Sequence, residues 1–495
     1  RKEFPMLNSI LYFEQFCIKN FEKLEDEFLK NPENFAEYVF GLTDLLCKFG
    51  TEMLRDSLET MDRMLCESTF RRKSWTIEAH HTKTLVTSLG DVTFQKTLFL
   101  NKQTKQRAYL LDQILGLEPK QRLTEDAAAR MLEEAVQTSY QRGAQQVSLG
   151  TQVSRQTVKN KIHALKFPPA AQTSEPKKKV DWLYIDADED HVALQFREKK
   201  GDLVKAENGV KNNGLIAKMV CVYEGKEEET IHSRRRILTN RHYFCGVNSG
   251  EANLQFWDDI YQYLENNYDL DQVKKIYLNA DGGNWIRTGA RRLKGVTYVL
   301  DGFHLEKYLI KLVPHLNRKE RIPVVEEFRK TIRNQTKNDF RELVEKQKKG
   351  MPKWRKRAKV EEAASYILSN WTAAKLRLKH KNGVLGSSTE SHVSHVLSAR
   401  MSSRPMGWSR QGASNMSELR AYYYNGGDML DLVRYQKKAC PEEKKEEEKI
   451  LSSTQILRSE KSRHGELGKY LESIHHSMSL QNKKKVYFET QIRGL

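Results

Sequence analysis

At 495 residues, 38% of them hydrophobic, the chain has room for roughly two to four domains, at least one with a sizeable apolar core. Its 84 Lys and Arg against 65 Asp and Glu leave a net charge of +19, which favours a polyanionic partner, nucleic acid first and an acidic membrane surface second. No run approaches the roughly 18 apolar residues of a membrane span and no signal peptide is visible, so no membrane is expected and nucleic acid is the expected partner.

Cysteines at 17, 47, 66, 221, 245 and 440 form no CxxC pair. That spacing supports neither a zinc framework nor a disulfide scaffold, and a reducing, intracellular location follows. Residues 1–70 carry apolar residues at helical spacing, as in LYFEQFCIKNFEKLEDEFLK, and are expected to form two or three amphipathic helices that serve packing. Within 71–120 the run SWTIEAHHTKTLVTSLGDVTFQKTLFLNK becomes β-like and breaks at LGD, the pattern of a hairpin turning near Gly90. His80 and His81 are adjacent, hence on opposite strand faces, and make poor co-ligands for a metal.

Over 121–176, TEDAAARMLEEAVQTSYQRGAQQVS returns to helical spacing and is followed by LGTQVSRQTVKNKIHALK. A helix, a short turn containing Gly150 and a second helix capped by Ser154 make a helix-turn-helix pattern. Arg155, Gln156, Thr157, Lys159 and Asn160 then stand where a recognition helix meets base edges and phosphates. An ordinary two-helix packing unit is the alternative reading. The run KFPPAAQTSEPKKKV has the composition of an exposed linker, and a new domain is expected to start near Lys177.

Next, VDWLYIDADEDHVALQFREKK alternates as a strand does and is expected to pass through a tight acidic turn into a second strand. Asp186 and Asp188 share one face, opposite Ile185 and Ala187. GLIAKMVCVYEG supplies a third strand, and a helix from about Ala252 to Asn266 leads to VKKIYLNADGGNWI. This run reads as a buried strand ending in an acid and two glycines, delivered parallel beside the first strand by a crossover helix. Asp281 is therefore expected at the carboxyl end of a strand adjacent to that of Asp188, where open α/β sheets place their sites.

Two carboxylates on neighbouring strand ends repel each other unless a cation lies between them, and a hard divalent ion such as Mg²⁺ is the usual occupant. Solvated turn residues are the alternative. A third acid, Glu390, opens a helix in GVLGSSTESHVSHVLSARMSSRPMGWSRQG, although a helix N-terminus suits an acid in any case. In VTYVLDGFHLEKYLIKL, Asp301 and His304 stand three apart at a strand-to-helix turn. They read equally as a metal site, a catalytic pair or the polar punctuation of an αβ turn.

The strand with Asp188, the strand YLNADGGNW, the Asp-x-x-His of DGFH and the block TESHVSHVLSARMSSRPMGWS resemble bacterial insertion-sequence transposases of the ISLre group, distant relatives of the Mutator-type transposases. The resemblance runs from the LGDVTFQKTLFL hairpin through LRAYYYNGG, most of the chain. It implies an α/β fold with a ribonuclease-H-like catalytic domain and a catalytic, metal-binding triad of Asp188, Asp281 and Glu390. Two Mg²⁺ (or Mn²⁺) ions and cleavage and strand transfer of double-stranded DNA, at the terminal inverted repeats of a mobile element and at a target, are implied with it.

By position the first acid carries over to Asp188, with Asp186 the alternative register. Asp301 and His304 match the Cys or Asp, two residues, then His of the Mutator-type enzymes and are read as assisting the site, a structural turn being the alternative. The core would run over 177–311, give way to an all-helical insertion over the lysine-rich 312–385, and resume with the Glu helix at 386–430. A charged helical tail would occupy 431–495. Trp371 is expected to pack the insertion, with base stacking the alternative. Arg400, Arg404 and Arg410 suit backbone phosphates. A homodimer or larger assembly on DNA, in the nucleoid-associated cytoplasm of a bacterium, completes the expectation. The alternative functions are a domesticated sequence-specific DNA-binding protein without nuclease activity and a structure-specific nuclease on the same fold.

Overall fold

The computed structural model describes residues 8–169, 176–195, 214–233, 235–293, 295–349, 351, 354–380, 384–385, 389–404, 406–439 and 455–458. The chain is mixed α/β and divides into two units, one of Arg1–Met131, Gln145–Val153 and Cys440–Leu495, the other of Leu132–Ala144 and Ser154–Ala439.

In the first unit, helix Asn8–Tyr12 continues through a π-helical turn into Ile18–Lys30, and the long helix Phe35–Glu67 follows. Strands β1 (Trp75–Val86) and β2 (Asp91–Asn101) form the expected hairpin, joined at the β2 edge by the short β3 (Arg107–Ala108). Its turn is set by the Thr87 hydroxyl, which donates to the Gly90 carbonyl at 2.8 Å, and by Gly90 itself, whose φ of 152° few side chains tolerate. Leu65 from the long helix packs with Trp75, Phe94, Phe99, Leu110 and Leu111 in the core of this unit. His80 and His81 bond different neighbours, the Thr97 hydroxyl and the Tyr109 hydroxyl, each at 2.9 Å.

The second unit is built on β4 (Trp182–Ala193), β5 (Gly214–Tyr223), the hairpin β6 (Gly225–Glu228) and β7 (Arg236–Thr239), β8 (His242–Gly246), β9 (Lys275–Ala280) and β10 (Val296–Leu300). Five of these form one sheet in the order β10-β9-β4-β5-β8. The pairs β4/β5 and β5/β8 are antiparallel, whereas β4/β9 and β9/β10 are parallel. Helices Ala252–Asn267 and Asn284–Arg292 make the crossovers before β9 and β10, as parallel neighbours require. Ile185 and Ala187 enter one core with Val220, Trp257, Ile260 and Leu278. There the two crossover helices touch so closely that a Cβ on Gly289 would lie 2.0 Å from the Trp257 ring.

One expectation is corrected here. The acidic run DADED is no turn, because β4 continues through it and pairs with β5 as far as Ala193↔Gly214. Alternation explains the continuity: the even-numbered acids take one face while Ile185 and Ala187 bury on the other. β6, β7 and β8 also occupy the stretch between Gly225 and Gly246, where no strand was expected.

After β10 and helix Gly302–Lys311, helices Arg318–Asn334, Lys337–Lys349, Trp354–Ser369 and Trp371–Lys379 share a core around Phe328, Phe340 and Ile367. Trp371 packs in it, edge-on to Phe340 at 5.5 Å. Beyond the helix Met429–Ala439, the charged tail lies outside the described residues apart from 455–458, as do 170–175 of the linker. No helix among the described residues is long and apolar enough to cross a membrane.

Candidate functional site

The parallel register of β4 and β9 pairs Asp186 with Asn279 and Ala187 with Ala280, so the next step along both strands brings Asp188 beside Asp281. Asp188 is 8% exposed and its Oδ1 accepts the Glu189 N–H at 2.8 Å. Burial pushes its pKa up to about 7; the Glu189 N–H and His304 oppose the shift, and the charges of Asp281 and Glu390 add to it. Those electrostatic couplings set Asp188, Asp281, His304 and Glu390 in one neighbourhood. Asp186, two pairs deeper, is fully buried and accepts from the Tyr223 hydroxyl at 3.1 Å and Asn279 Nδ2 at 2.8 Å.

Asp281 sits on a clamped loop. Its Oδ1 accepts the Gly283 N–H at 3.0 Å, and its main-chain carbonyl accepts the Tyr366 hydroxyl. Gly282 has φ of 102°, and a Cβ there would meet the Asn370 amide at 3.0 Å; Asn370 in turn accepts from Arg287 at 2.9 Å. Tyr366 also stacks on Tyr308, with ring centroids 3.7 Å apart. No motif announced Tyr366 or Asn370 as neighbours of the site.

Asp301 caps helix Gly302–Lys311: its Oδ2 accepts the His304 N–H at 3.0 Å and lies 3.2 Å from His304 Nδ1. Its own N–H donates to the Ala280 carbonyl at 2.9 Å, which ties the end of β10 to the end of β9. The pair is therefore an αβ-turn cap that faces the acids. The hydrogen bond to Asp301 raises the His304 pKa; burial opposes this, and the charges of Asp301, Asp188 and Asp281 reinforce it.

Glu390 is exposed in the first turn of helix Thr389–Val393, which packs against β4. Two residues on, His392 Nδ1 lies 2.6 Å from the Tyr243 hydroxyl, and burial, helped by Arg241 and Lys226, pushes its pKa down to about 4. It is neutral at neutral pH. As they stand, no three His, Cys, Asp or Glu side chains among the described residues close into a group able to hold a metal ion.

On helix Arg155–His163, Arg155, Gln156, Thr157 and Asn160 are exposed, Lys159 is half-buried, and Val158 and Ile162 are buried. Ser154 caps the helix as expected, its Oγ accepting the Thr157 N–H at 3.1 Å. The connection from helix Tyr140–Gln145 runs from Gln146 to Ser154, longer than the roughly three or four residues that join a helix-turn-helix pair.

Arg404 and Arg410 are exposed. Arg400 requires a correction: it is 3% exposed, its Nε donates to the Ala135 carbonyl at 3.0 Å, and its guanidinium lies over the Tyr140 and Trp408 rings. Arg420, also buried, donates to the neighbouring Val136 carbonyl at 2.9 Å. Both arginines thus satisfy carbonyls at the C-terminal end of helix Glu125–Gln137, where the helix has no partners of its own, and Arg400 is not available to a phosphate.

The chain matches, over residues 28–439, the family described as "Uncharacterised protein family (UPF0236)". It is similar to UPF0236 proteins of Caldanaerobacter subterraneus subsp. tengcongensis, being 31% identical to one over 433 residues (88% of this chain, 86% of the relative) and 32% identical to another over 432 residues (87% of each). A UPF0236 protein from the vanSb 3′ region of Streptococcus gallolyticus is 23% identical over 415 residues, 80% of this chain and 85% of the relative. This chain belongs to the UPF0236 family.

Proposed function

We propose that the protein is a DNA transposase, binding the ends of a mobile element and carrying out metal-dependent strand cleavage and strand transfer. The observation that carries this reading is the meeting of Asp188, within β4, with Asp281, just past the end of the parallel neighbour β9, with the charge of Glu390 acting on the same carboxyl. The sheet order β8-β5-β4-β9-β10, antiparallel for its first three strands and parallel thereafter, supports a ribonuclease-H-like core; the four helices between Arg318 and Lys379 fit the all-helical insertion. The net charge of +19 suits a DNA substrate. One relative carries eleven locus designations from a single genome, a copy number that fits an element that duplicates itself.

The donor set fits a hard divalent cation, since Asp188, Asp281 and Glu390 offer carboxylate oxygens and burial, with the charges of Asp281 and Glu390 beside it, holds Asp188 near 7. These three residues would hold Mg²⁺ or Mn²⁺, two ions in all, which when bound supply Lewis acidity to a scissile phosphate. The chain's own part is placement. The Gly283 N–H orients the Asp281 carboxylate, Tyr366 anchors its backbone, and Asp301 fixes the ring of His304 towards the acids. A homodimer or larger assembly on DNA belongs to the same reading.

A second reading, a DNA-binding protein without nuclease activity, is favoured by one observation: the acids do not close into a metal group as they stand. Incubating the protein with DNA carrying the element's ends, with and without Mg²⁺, separates the two. Cleavage by the native chain, lost in Asp281→Ala while DNA binding persists, supports the transposase; binding without cleavage in both supports the alternative.

A further inference from the structure

Away from the acids, the second unit carries a half-open cavity of about 400 Å³ beside the far end of β4. Trp408 pairs beside Leu194, just past that strand, in a parallel bridge: its N–H donates to the Ala193 carbonyl and its carbonyl accepts the Gln195 N–H, both at 2.9 Å. The bridge holds Ser409, the cap of helix Arg410–Tyr424, against helix Arg155–His163, so closely that a Cβ on Gly412 would lie 2.6 Å from His163 Nε2. Arg155, Lys159, His163, Tyr140 and Ser409 line the space between, and no Asp or Glu does so among the described residues.

The lining has donors without acceptors. Arg155 and Lys159 are spaced i, i+4 on one helix face, where like charges repel. Neither has a carboxylate partner among the described residues. The Tyr140 hydroxyl is buried and has no hydrogen-bond partner among the described residues, which costs about 1–3 kcal/mol unless a ligand or water fills the role. Burial also pushes its pKa up to about 12, so it stays a neutral donor. Two cations and an orphaned hydroxyl around one space match the oxygens of a phosphate.

We infer that this cavity is a phosphate-binding site that grips the DNA backbone at a fixed distance from the acids; the choice of DNA, though not of phosphate, rests on the transposase reading. Gln195 borders the cavity seven residues beyond Asp188 along the same strand line. At about 3.3 Å per residue that is roughly 23 Å along the strand line.

The test is equilibrium binding of the full chain to a labelled 30-base-pair duplex across a salt series, read by fluorescence anisotropy. Native protein is compared with the double variant Arg155→Ala/Lys159→Ala, with Tyr140→Phe, and with a control that removes Arg318 and Lys319, cations on another helix of the unit. The expected result is an affinity loss of about tenfold in the cavity double variant and a salt slope shallower by about 0.9, the value of one phosphate contact. Tyr140→Phe should lose a few-fold with its slope unchanged, and it keeps the inference testable should the double variant fold poorly. Replacing single phosphates by uncharged methylphosphonates should weaken native binding most at one position and leave the double variant indifferent there.

Unchanged binding in both cavity variants overturns the inference, as does an equal loss in the control. Preference for vesicles containing phosphatidylglycerol over the duplex overturns the DNA assignment. Because binding is read without cleavage, a native chain that binds through the cavity but never cuts DNA sinks the transposase reading and leaves the site standing.

Discussion

Asn279 Nδ2 donates to Asp186 Oδ1 at 2.8 Å, two register steps inside the point where Asp188 meets Asp281. That bond separates two acids which the sequence places on one face of one strand. Asp186 is buried at 0% exposure and bonded to donors from β5 and β9, whereas Asp188, further along β4, has Asp281, His304 and Glu390 as charged neighbours. Asp186→Ala should therefore destabilise the fold by about 2–3 kcal/mol, since it strands the Asn279 amide and Tyr223 hydroxyl. Asp188→Ala should instead remove cleavage and leave the melting temperature equal or higher. Denaturation curves and cleavage assays on both variants check this; the reverse pattern would assign the catalytic role to Asp186.

The pH dependence of the metal-free protein follows from Asp188. Its pKa is about 7 in the fold against 3.8 for the ordinary group, so between those values the folded chain binds more protons than the unfolded one. Stability therefore falls as pH rises from about 4 to about 7, by roughly 4 kcal/mol at most. His304, raised by Asp301, adds the same sign: its stabilisation is complete below its ordinary value and is lost as pH rises through the folded one. Urea melts in EDTA from pH 4.5 to 8 should show the decline, and Asp188→Asn should flatten most of it. An Asp188→Asn protein with the native slope would contradict the assignment.

The His304 ring is held by Asp301 and feels the charges of Asp188 and Asp281. Substituting His304 by Ala should lower the cleavage rate about 10–100-fold and raise the Mg²⁺ requirement, the scale of lost outer-sphere support. Cleavage measured against Mg²⁺ concentration, beside a melting curve, reads this directly. A lowered melting temperature with an unchanged metal requirement would reduce the pair to a helix cap.

Arg400 makes the opposite kind of prediction. Burial pushes its pKa down to about 10, leaving it charged at neutral pH and bonded to the Ala135 carbonyl. Arg400→Ala should cost about 2–3 kcal/mol of stability, the value of a charge-assisted bond to a buried carbonyl. The salt slope of DNA binding should not change, and a shallower slope would return Arg400 to the DNA surface.

What the sequence made legible was local and periodic. The apolar run before Asp281, its two glycines and the helix from Ala252 sufficed to place a parallel strand beside β4, because crossover geometry leaves few other arrangements. The hairpin at Gly90 and the Ser154 cap carry their own turn and capping chemistry in a few adjacent residues. DADED misled because clustered acids resemble a turn when the partner strand that sustains them, β5, lies out of view. Arg400 misled because its acceptor, Ala135, is 265 residues away, and Tyr366 went unseen because Asp281 is 85 residues from it. Neither distance leaves a pattern in the chain.

Joint action of Asp188, Asp281 and Glu390 on DNA is read most directly by incubating the full chain with Mg²⁺ and a duplex bearing the element's own end, native protein beside Asp281→Ala. The expected result is a Mg²⁺-dependent strand break at the element boundary by the native chain, absent in Asp281→Ala, while both bind the duplex with similar affinity. Cleavage that survives in Asp281→Ala, or no cleavage by native protein bound to its own ends in Mg²⁺ or Mn²⁺, would contradict it.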